Sequence, residues 1–430
     1  MDRVVRLGML GCGTVGGGVV TLLNREADDI TARTGAKLEI ARVAVRDLSR
    51  DRGLPVEASV FGDDPWAVVE DPSIDVIVEV MGGVDPAGRL IRRALELGKP
   101  VVTANKELVA DQGPELFAAA RAAGVDLAYE AAVAGAIPII KPLKESLAGD
   151  RIERVVGILN GTTNYILTRM TEDGVGYDEV LAEAQALGYA EADPTADVGG
   201  HDAAAKCAIL ASLAFDTAVH GSDVYREGIE RVTATDIRVA TQLGYVIKLL
   251  GIASRIGDEV AVRVHPAFLP ADHPLASVRD SFNAVFVQAS AAGELMFYGR
   301  GAGGLPTGSA VLGDVIDVAR NLLQTARGAL ETHHRALAIR PMEALSTQYY
   351  VLLNVDDRPG VLAAVADTFG THGVSIAQVW QEGSDDAAQL VLITHRSRES
   401  DLQATVEALA AVPSVRRVAS VLRVESEVLS

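Results

Sequence analysis

Residues 4–16, Val-Val-Arg-Leu-Gly-Met-Leu-Gly-Cys-Gly-Thr-Val-Gly, decide the fold class. Val4–Leu10 reads as a buried strand, and a helix-forming run follows the glycines as far as Leu23. Gly11, Gly13 and Gly16 fall at Gly-x-Gly-x-x-Gly spacing, with Cys12, Thr14 and Val15 between them. Residues without bulk let the backbone approach a pyrophosphate, and the helix start supplies free amides and the positive end of its dipole. Alone, the hexapeptide is a common glycine turn. Between a strand and a helix it predicts a dinucleotide site, with Gly11, Gly13, Thr14, Val15 and Gly16 as cofactor contacts.

A second strand, Leu38–Val45, ends at Arg46-Asp47. An acid there suits the ribose 2′-hydroxyl of NAD, whereas arginine accepts the 2′-phosphate of NADP. Both residues are present; Arg46 favours NADP and leaves NAD open, the plain alternative being a surface charge. Strand Asp75–Val80 leads through Gly82-Gly83 to a helix over Pro86–Leu97, and strand Lys99–Thr103 ends in Ala104-Asn105-Lys106. Carboxyl ends of parallel strands line the ligand crevice, which places Lys106 there rather than merely on an exposed helix start. One more short strand lies within 125–137. This alternation makes residues 1–140 a Rossmann-type doubly wound parallel α/β domain.

Beyond 140 the pattern changes to α+β. A strand over 152–159 precedes a turn at Asn160–Asn164, a helix beginning at Tyr165–Met170 and another over 178–187. Residues 188–206 then read Gly-Tyr-Ala-Glu-Ala-Asp-Pro-Thr-Ala-Asp-Val-Gly-Gly-His-Asp-Ala-Ala-Ala-Lys. Proline and glycines predict an ordered loop to Gly200, and the alanine-rich run from Asp202 predicts a helix. Asp202 and Lys206 sit at i and i+4 on one face. The plain reading is a solvated acidic loop beside a surface ion pair. Glu191, Asp193, Asp197 and Asp202 gathered around one lysine suit instead a substrate ammonium, with Lys206 kept for proton transfer. A glycine-rich turn at Gly299–Gly304 offers Arg300 as a weaker phosphate contact, and Ser309–Arg327 reads as one long amphipathic helix.

Residues 331–346 lack a core pattern and are expected to be a linker; the adjacent His333 and His334 are poorly spaced for one metal ion. Residues 347–430 run strand, helix, strand, strand, helix, strand, the ferredoxin-like order. A chain ended near Leu345 is therefore expected to fold and turn over by itself.

The chain has 430 residues, 58 acidic against 39 basic, a formal charge of −19 that argues against nucleic-acid or anionic-membrane partners. No apolar run spans a bilayer, and Met-Asp-Arg-Val-Val-Arg enters a strand without a signal-peptide pattern, so a cytoplasmic location is expected. Cys12 and Cys207 are too few for a disulfide framework.

Taken in order, Gly11–Gly16, Thr103–Lys106, Glu130–Pro138, Asn160–Tyr165, Gly188–Lys206 and Gly301–Thr307 resemble the homoserine dehydrogenase family with a C-terminal ACT domain, over nearly the whole chain. The ACT likeness rests on Asp356–Leu362 and Val374-Ser375-Ile376. The resemblance implies NAD(P)-dependent interconversion of L-homoserine and L-aspartate 4-semialdehyde. It implies Lys206 as proton donor and acceptor, Lys106 beside the nicotinamide, and Glu191, Asp197 and Asp202 as substrate contacts or their support. Gly188 and Gly303 match cofactor contacts. Glu130, Val133, Gly135 and Ile137 match positions that hold a monovalent cation, Na+ or K+, largely through carbonyls. It further implies residues 141–330 as a catalytic and dimerisation domain whose last helix packs back on the Rossmann domain. A homodimer or homotetramer follows, with threonine as first candidate effector of the ACT domain. Cys12, where an aliphatic residue is expected, and Asp280, where glycine is usual, depart from the pattern. Two other readings stay open: a Rossmann dehydrogenase for a different small substrate, and a nucleotide- and amino-acid-sensing regulator. The latter leaves Lys106 and Lys206 without a task.

Overall fold

The computed structural model describes residues 3–329, 335–384 and 387–425. Strands β1 (Val4–Leu10), β2 (Lys37–Ala44), β3 (Phe61–Gly62), β4 (Val76–Glu79), β5 (Val101–Thr103) and β6 (Leu127–Ala128) form one parallel sheet in the order β3-β2-β1-β4-β5-β6. That is the dinucleotide-binding order, and its direction reverses between β1 and β4, where the ligand crevice opens. Helices α1 (Thr14–Arg25), α2 (Ala27–Thr34), α3 (Pro65–Glu70), α4 (Ala87–Glu96) and α5 (Lys106–Ala123) cover the sheet. β4 is buried at every residue, as a parallel strand covered on both faces must be.

The second half is built on a mixed sheet of β7 (Ile152–Ile158), β8 (Tyr225–Arg226), β9 (Tyr245–Ile256), β10 (Glu259–Pro270), β11 (Phe282–Ala289) and β12 (Gly293–Arg300). Helices α6 (Gly161–Asp173), α7 (Tyr177–Ala186), α8 (Thr195–Val198), α9 (His201–Phe215) and α10 (Ala234–Gln242) accompany it. α6 starts four residues before the expected Tyr165, because Asn160 caps it: its side-chain oxygen accepts from Thr163 N at 2.8 Å. The acidic loop contains the single turn α8. Helix α11 (Gly304–Gln324) returns to α1, and a Cβ on Gly18 would stand 2.1 Å from Gly304 O. Only glycine permits that approach.

The C-terminal unit contains β14 (Ser346–Asp356), α12 (Val361–Thr371), β15 (Ile376–Ser384), β16 (Ala387–Thr394), the two-residue β17 (Ser397–Arg398), α13 (Glu399–Ala410) and β18 (Val415–Val424). Its main strands run β18-β14-β16-β15, the ferredoxin-like arrangement. The separation expected over 331–346 is revised. Residues 330–334, including His333 and His334, lie outside the described residues, but the chain is packed again from Arg335. Strand β13 (Ala338–Ile339) pairs with β10, and Met342 and Leu345 are buried. β18 pairs in parallel with β10 through Ala267–Arg423 and Phe268–Val424, so one sheet runs from β12 to β15. A chain ended at Leu345 would uncover that seam and the ring of Phe268, which stacks on Tyr350 at 4.5 Å. Among the described residues no helix is long and apolar enough to cross a membrane.

Candidate active site

At the carboxyl edge of β1, Gly11 has φ +97 and a Cβ there would meet Val80 O at 2.8 Å. Gly13 caps α1 without a side-chain hydrogen bond, and the first turn carries no acidic residue, so its leading amides face an uncluttered space that fits a phosphate. Gly303, at φ +116, caps α11 beside it; a Cβ on Gly304 would stand 2.8 Å from Thr14 O. Arg46 is exposed just past β2, while Asp47 is taken up by its own loop, accepting from Ser49 Oγ at 2.6 Å and Ser49 N at 2.9 Å. The Ser49 hydroxyl and amide hold the Asp47 carboxyl below the usual range. Arg52 went unnoticed in the sequence. Its guanidinium donates to Cys12 O at 3.3 Å and to Asp47 O at 2.8 Å, and lies over the Phe61 ring, so it braces the glycine turn. The three arginines within 46–52 were the available signal. Burial pushes the Cys12 thiol up. Arg300 lies over the ring of Phe282, at 5.2 Å.

Lys106 is placed by a buried relay. Glu79, at the end of β4, is fully buried and accepts from Met81 N (2.9 Å), Gly82 N (3.1 Å) and Thr103 Oγ1 (2.6 Å). Thr103 Oγ1 accepts in turn from Asn105 N, and Asn105 caps α5 through Leu108 N while donating to Gly83 O. Two loops of the crevice are thereby tied together, and Lys106 begins the helix they anchor. Burial raises the Glu79 carboxyl despite these donors.

The acidic loop and α9 meet this edge from the other half of the chain. Lys206 Nζ donates to Asp202 Oδ2 at 2.7 Å and to the Leu159 carbonyl at 2.8 Å; Lys106 Nζ stands 3.4 Å from Asp202 Oδ1. Asp202 is thus held between lysines from two domains. Burial alone would raise its carboxyl, but Lys206, Lys106 and the amide of Asn160 outweigh that and hold it below the ordinary range. Asn160 Nδ2 donates to Asp197 Oδ1 at 2.7 Å and to Asp202 Oδ2 at 2.9 Å, so the residue that caps α6 also bridges both carboxylates. Asp197 goes the other way: burial raises it and Asp202 adds to the effect, with Asn160 opposing. Sequence reasoning quoted Asn160 within a motif without giving it this place.

Glu191 and Gly188 are not drawn into the cluster. Both are exposed on the rim after α7, where Gly188 has φ +77. Glu130 is buried, and its carboxylate accepts from Ile139 N, Ile140 N and Lys141 N at 2.6–2.9 Å. Those bonds fix the intervening turn, in which Gly135 at φ +57 packs so tightly that a Cβ would stand 2.4 Å from Gly301 O. No backbone hydrogen bond among the described residues ends on the carbonyls of Val133, Gly135 or Ile137. No cluster of His, Cys, Asp and Glu among the described residues could hold a metal ion, so a cation here would rest on carbonyls. Asp280 adopts φ +52, the conformation for which glycine is usual, and Asn164 Nδ2 secures it by donating to Asp280 O at 2.9 Å.

The crevice therefore joins an anion-accepting helix start to a lysine–carboxylate cluster able to hold an ammonium and exchange a proton. Comparison with known proteins shows the family. A family model described as homoserine dehydrogenase matches residues 138–316, its NAD binding domain matches 11–130, and an ACT domain matches 349–414. The homoserine dehydrogenase of Mycobacterium tuberculosis is 51% identical over 435 residues, covering 99% of this chain and 98% of that one. The structure of a homoserine dehydrogenase from Thiobacillus denitrificans superposes with a TM-score of 0.94 at 42% identity, covering 99% of both chains. A hyperthermophilic archaeal homoserine dehydrogenase in complex with NADPH gives a TM-score of 0.63 at 28% identity, over 74% of this chain and 98% of that one. With its NAD(P)-binding domain, catalytic sheet and ACT domain all matched, the chain belongs to the homoserine dehydrogenase family of oxidoreductases.

Proposed function

We propose that Lys206 carries the proton, and Lys106 the neighbouring positive charge, in the interconversion of L-homoserine and L-aspartate 4-semialdehyde with NADP as preferred cofactor. The observation that carries this reading is Asp202 clasped between Lys206 and Lys106 at the mouth of the crevice. When bound, the nicotinamide exchanges a hydride with the substrate's terminal carbon. Lys206 Nζ is tetrahedral and two of its positions are spent on Asp202 and Leu159 O. The position left over is an N–H that donates to the aldehyde oxygen during reduction, or a lone pair that accepts the hydroxyl proton during oxidation. Asp202 and Leu159 thus aim the proton without taking it. Lys106 stabilises negative charge building on the same oxygen.

Asp197 and Glu191 are assigned to the substrate ammonium. An arriving ammonium would offset the burial that disfavours the Asp197 charge. Glu191 lies on the exposed rim and would have to close over the substrate to take part. Arg46 is assigned to the 2′-phosphate, supported by its exposure and by the commitment of Asp47 to Ser49. Gly11, Gly13, Thr14, Val15, Gly16, Gly188 and Gly303 are assigned to the cofactor. The carbonyls of Val133, Gly135 and Ile137 fit a monovalent cation, and Glu130, its carboxylate already engaged, would shape that turn. The ACT domain is assigned to threonine sensing and pairing. Leu362, Val379 and Trp380 lie exposed on it, the last two on the edge strand β15, which suits a second copy in a homodimer or homotetramer. A cytoplasmic location fits this chemistry. Initial rates of NADPH and NADH oxidation with L-aspartate 4-semialdehyde test the reading; a wild-type rate in Lys206→Ala would remove Lys206 from the mechanism.

A further inference from the structure

Lys248 lies on β9, which runs between β7 and β10 in the mixed sheet, and only 4% of it is exposed. Among the described residues it forms no ion pair; its Nζ donates instead to Asn164 Oδ1 at 2.9 Å and to Val278 O at 2.6 Å. Glu172 is taken up by Arg279. Burial pushes the Lys248 ammonium down to about 8 against the pull of Glu172, so it stays mostly charged at neutral pH. A charge held inside a sheet by neutral partners alone is costly, and methionine would fill much the same space without that cost.

Asn164, itself buried, passes that anchor on. Its Nδ2 donates to Asp280 O at 2.9 Å, Phe282 O at 3.2 Å and Val278 O at 3.3 Å, so Lys248 and Asn164 together hold the loop 278–282. That loop presses on the start of α6, where a Cβ on Gly161 would stand 2.7 Å from Ser281 O. Asn164 lies one turn into α6, and its own backbone amide is bonded to Asn160 O at 3.3 Å. Asn160 bridges Asp197 and Asp202, and Leu159 just before it accepts from Lys206 Nζ at 2.8 Å. An unbroken run of hydrogen bonds therefore joins the buried lysine of the sheet, through Asn164, Asn160 and Asp202, to the lysine of the crevice.

We propose that Lys248 is a positioning residue for the proton transfer: through Asn164 and the loop 278–282 it fixes the first turn of α6, and with it the Asn160 amide and the Leu159 carbonyl that aim Asp202 and Lys206. Helix ends fray, and a frayed start of α6 would move both of those groups at once. Displacing groups aligned for reaction by about 1 Å lowers a rate by up to about a hundredfold. A charged anchor in the sheet prevents this where an apolar side chain, with no donor for Asn164, would not. The inference rests on the reading of Lys206 as the proton carrier.

The test measures kcat, KM for homoserine and for NADP, and the melting temperature of the full-length enzyme. Lys248→Met removes the anchor at nearly constant volume; loss of the buried charge offsets the lost hydrogen bonds, so the melting temperature should stay within about 4 °C of wild type. kcat should fall by about tenfold to a hundredfold, with KM for NADP unchanged because the glycine turn lies in the other domain. Lys248→Gln, which restores a donor, should recover part of that kcat. Gly161→Ala strengthens the helix itself but drives it off Ser281 O, and should show the same loss of kcat. Wild-type kcat in Lys248→Met would overturn the inference, as would wild-type kcat in Gly161→Ala should Lys248→Met fail to fold. A fall in kcat that only follows a fall in stability, unrelieved by Lys248→Gln, would overturn it too. All of these leave Lys206 in its place, whereas a wild-type rate in Lys206→Ala would remove that reading and this inference together.

Discussion

Asn160→Asp isolates what the bridging amide does, because aspartate caps a helix about as well as asparagine and the bond to Thr163 N is kept. What disappears are two donors, those to Asp197 at 2.7 Å and Asp202 at 2.9 Å, and a third carboxylate takes their place. A hydrogen bond to a charged group contributes roughly 1.5–3 kcal/mol, so losing two costs about 3–6 kcal/mol before any repulsion. With about 2–4 °C of melting temperature per kcal/mol for a domain of this size, a fall of at least about 6 °C is expected. The sign with pH follows from linkage. A carboxyl forced in beside Asp197, which is already raised, has a folded pKa above its unfolded one. Its penalty is therefore absent in acid, appears as pH rises through the folded value, and is complete at pH 8. Asn160→Ser keeps a cap and adds no charge, so it should lie between the two. Differential scanning calorimetry of the three proteins from pH 5 to pH 8 is the assay. A wild-type melting temperature for Asn160→Asp at pH 8, or a gap that fails to narrow in acid, would refute the bridging role.

Lys206→Ala should lower kcat by roughly 10²–10⁴ with the fold retained, and Asp202→Ala, which releases that lysine, should lower kcat as well, whereas Glu191→Ala and Asp197→Ala should act mainly on KM for homoserine; unchanged KM in both would remove them from the ammonium site. Arg46→Ala should weaken NADP far more than NAD, but Arg52→Ala, which unbraces the glycine turn, should weaken both; cofactor titration by fluorescence separates the patterns. Acid should release the ACT seam before the core melts. Burial alone would raise the Glu425 carboxyl, but Arg263 and Arg154 hold it well below the usual range, so its contribution is present above its unfolded value and is lost as pH falls towards the folded one. His265, pushed down to about 3 by burial and by Arg423, is buried neutral, and its loss begins as pH falls through the ordinary histidine value of about 6.5. A single calorimetric transition throughout pH 7 to 4 would contradict this order.

What the sequence disclosed was mostly local. The strand–glycine–helix signal of residues 4–16 and the i,i+4 pair Asp202–Lys206 depend on neighbours a few residues apart, and Lys206 is found bonded to Asp202 at 2.7 Å. Asn160-Gly-Thr-Thr-Asn looked like a turn because those residue types favour turns, yet the same asparagine chemistry starts a helix when the apolar residues that follow, Tyr165, Ile166, Leu167 and Met170, are buried in the core. Tyr245–Ile256 escaped notice as a strand: largely buried, it lacks the alternation that marks one exposed face. Arg52 and Glu79 were illegible for another reason. Their partners, Cys12 O and Thr103, lie 40 and 24 residues away and are reached only once the parallel sheet has formed.

The seam between the domains shows how far such non-local contacts alter the functional picture. Read linearly, residues 347–430 are a complete unit that a linker joins to a complete enzyme. In three dimensions, β18 continues the catalytic sheet, and its last residues bring Arg423 and Glu425 against partners 162–271 positions away. Arg154 and Arg263, largely buried, both pair with Glu425, which Arg263 meets at 2.9 Å. A buried cation stripped of its partner costs several kcal/mol, whereas an exposed pair costs little. Undocking the ACT domain therefore cannot leave the catalytic half unchanged. The strain falls first on β10 and the Glu227–Ile229 segment, which holds Val198 between Asp197 and Asp202. A domain so joined needs no separate link to the crevice, because Glu227, which seats it, leads two residues on to Ile229, whose amide is bonded to Val198 in the loop before Asp202 and Lys206.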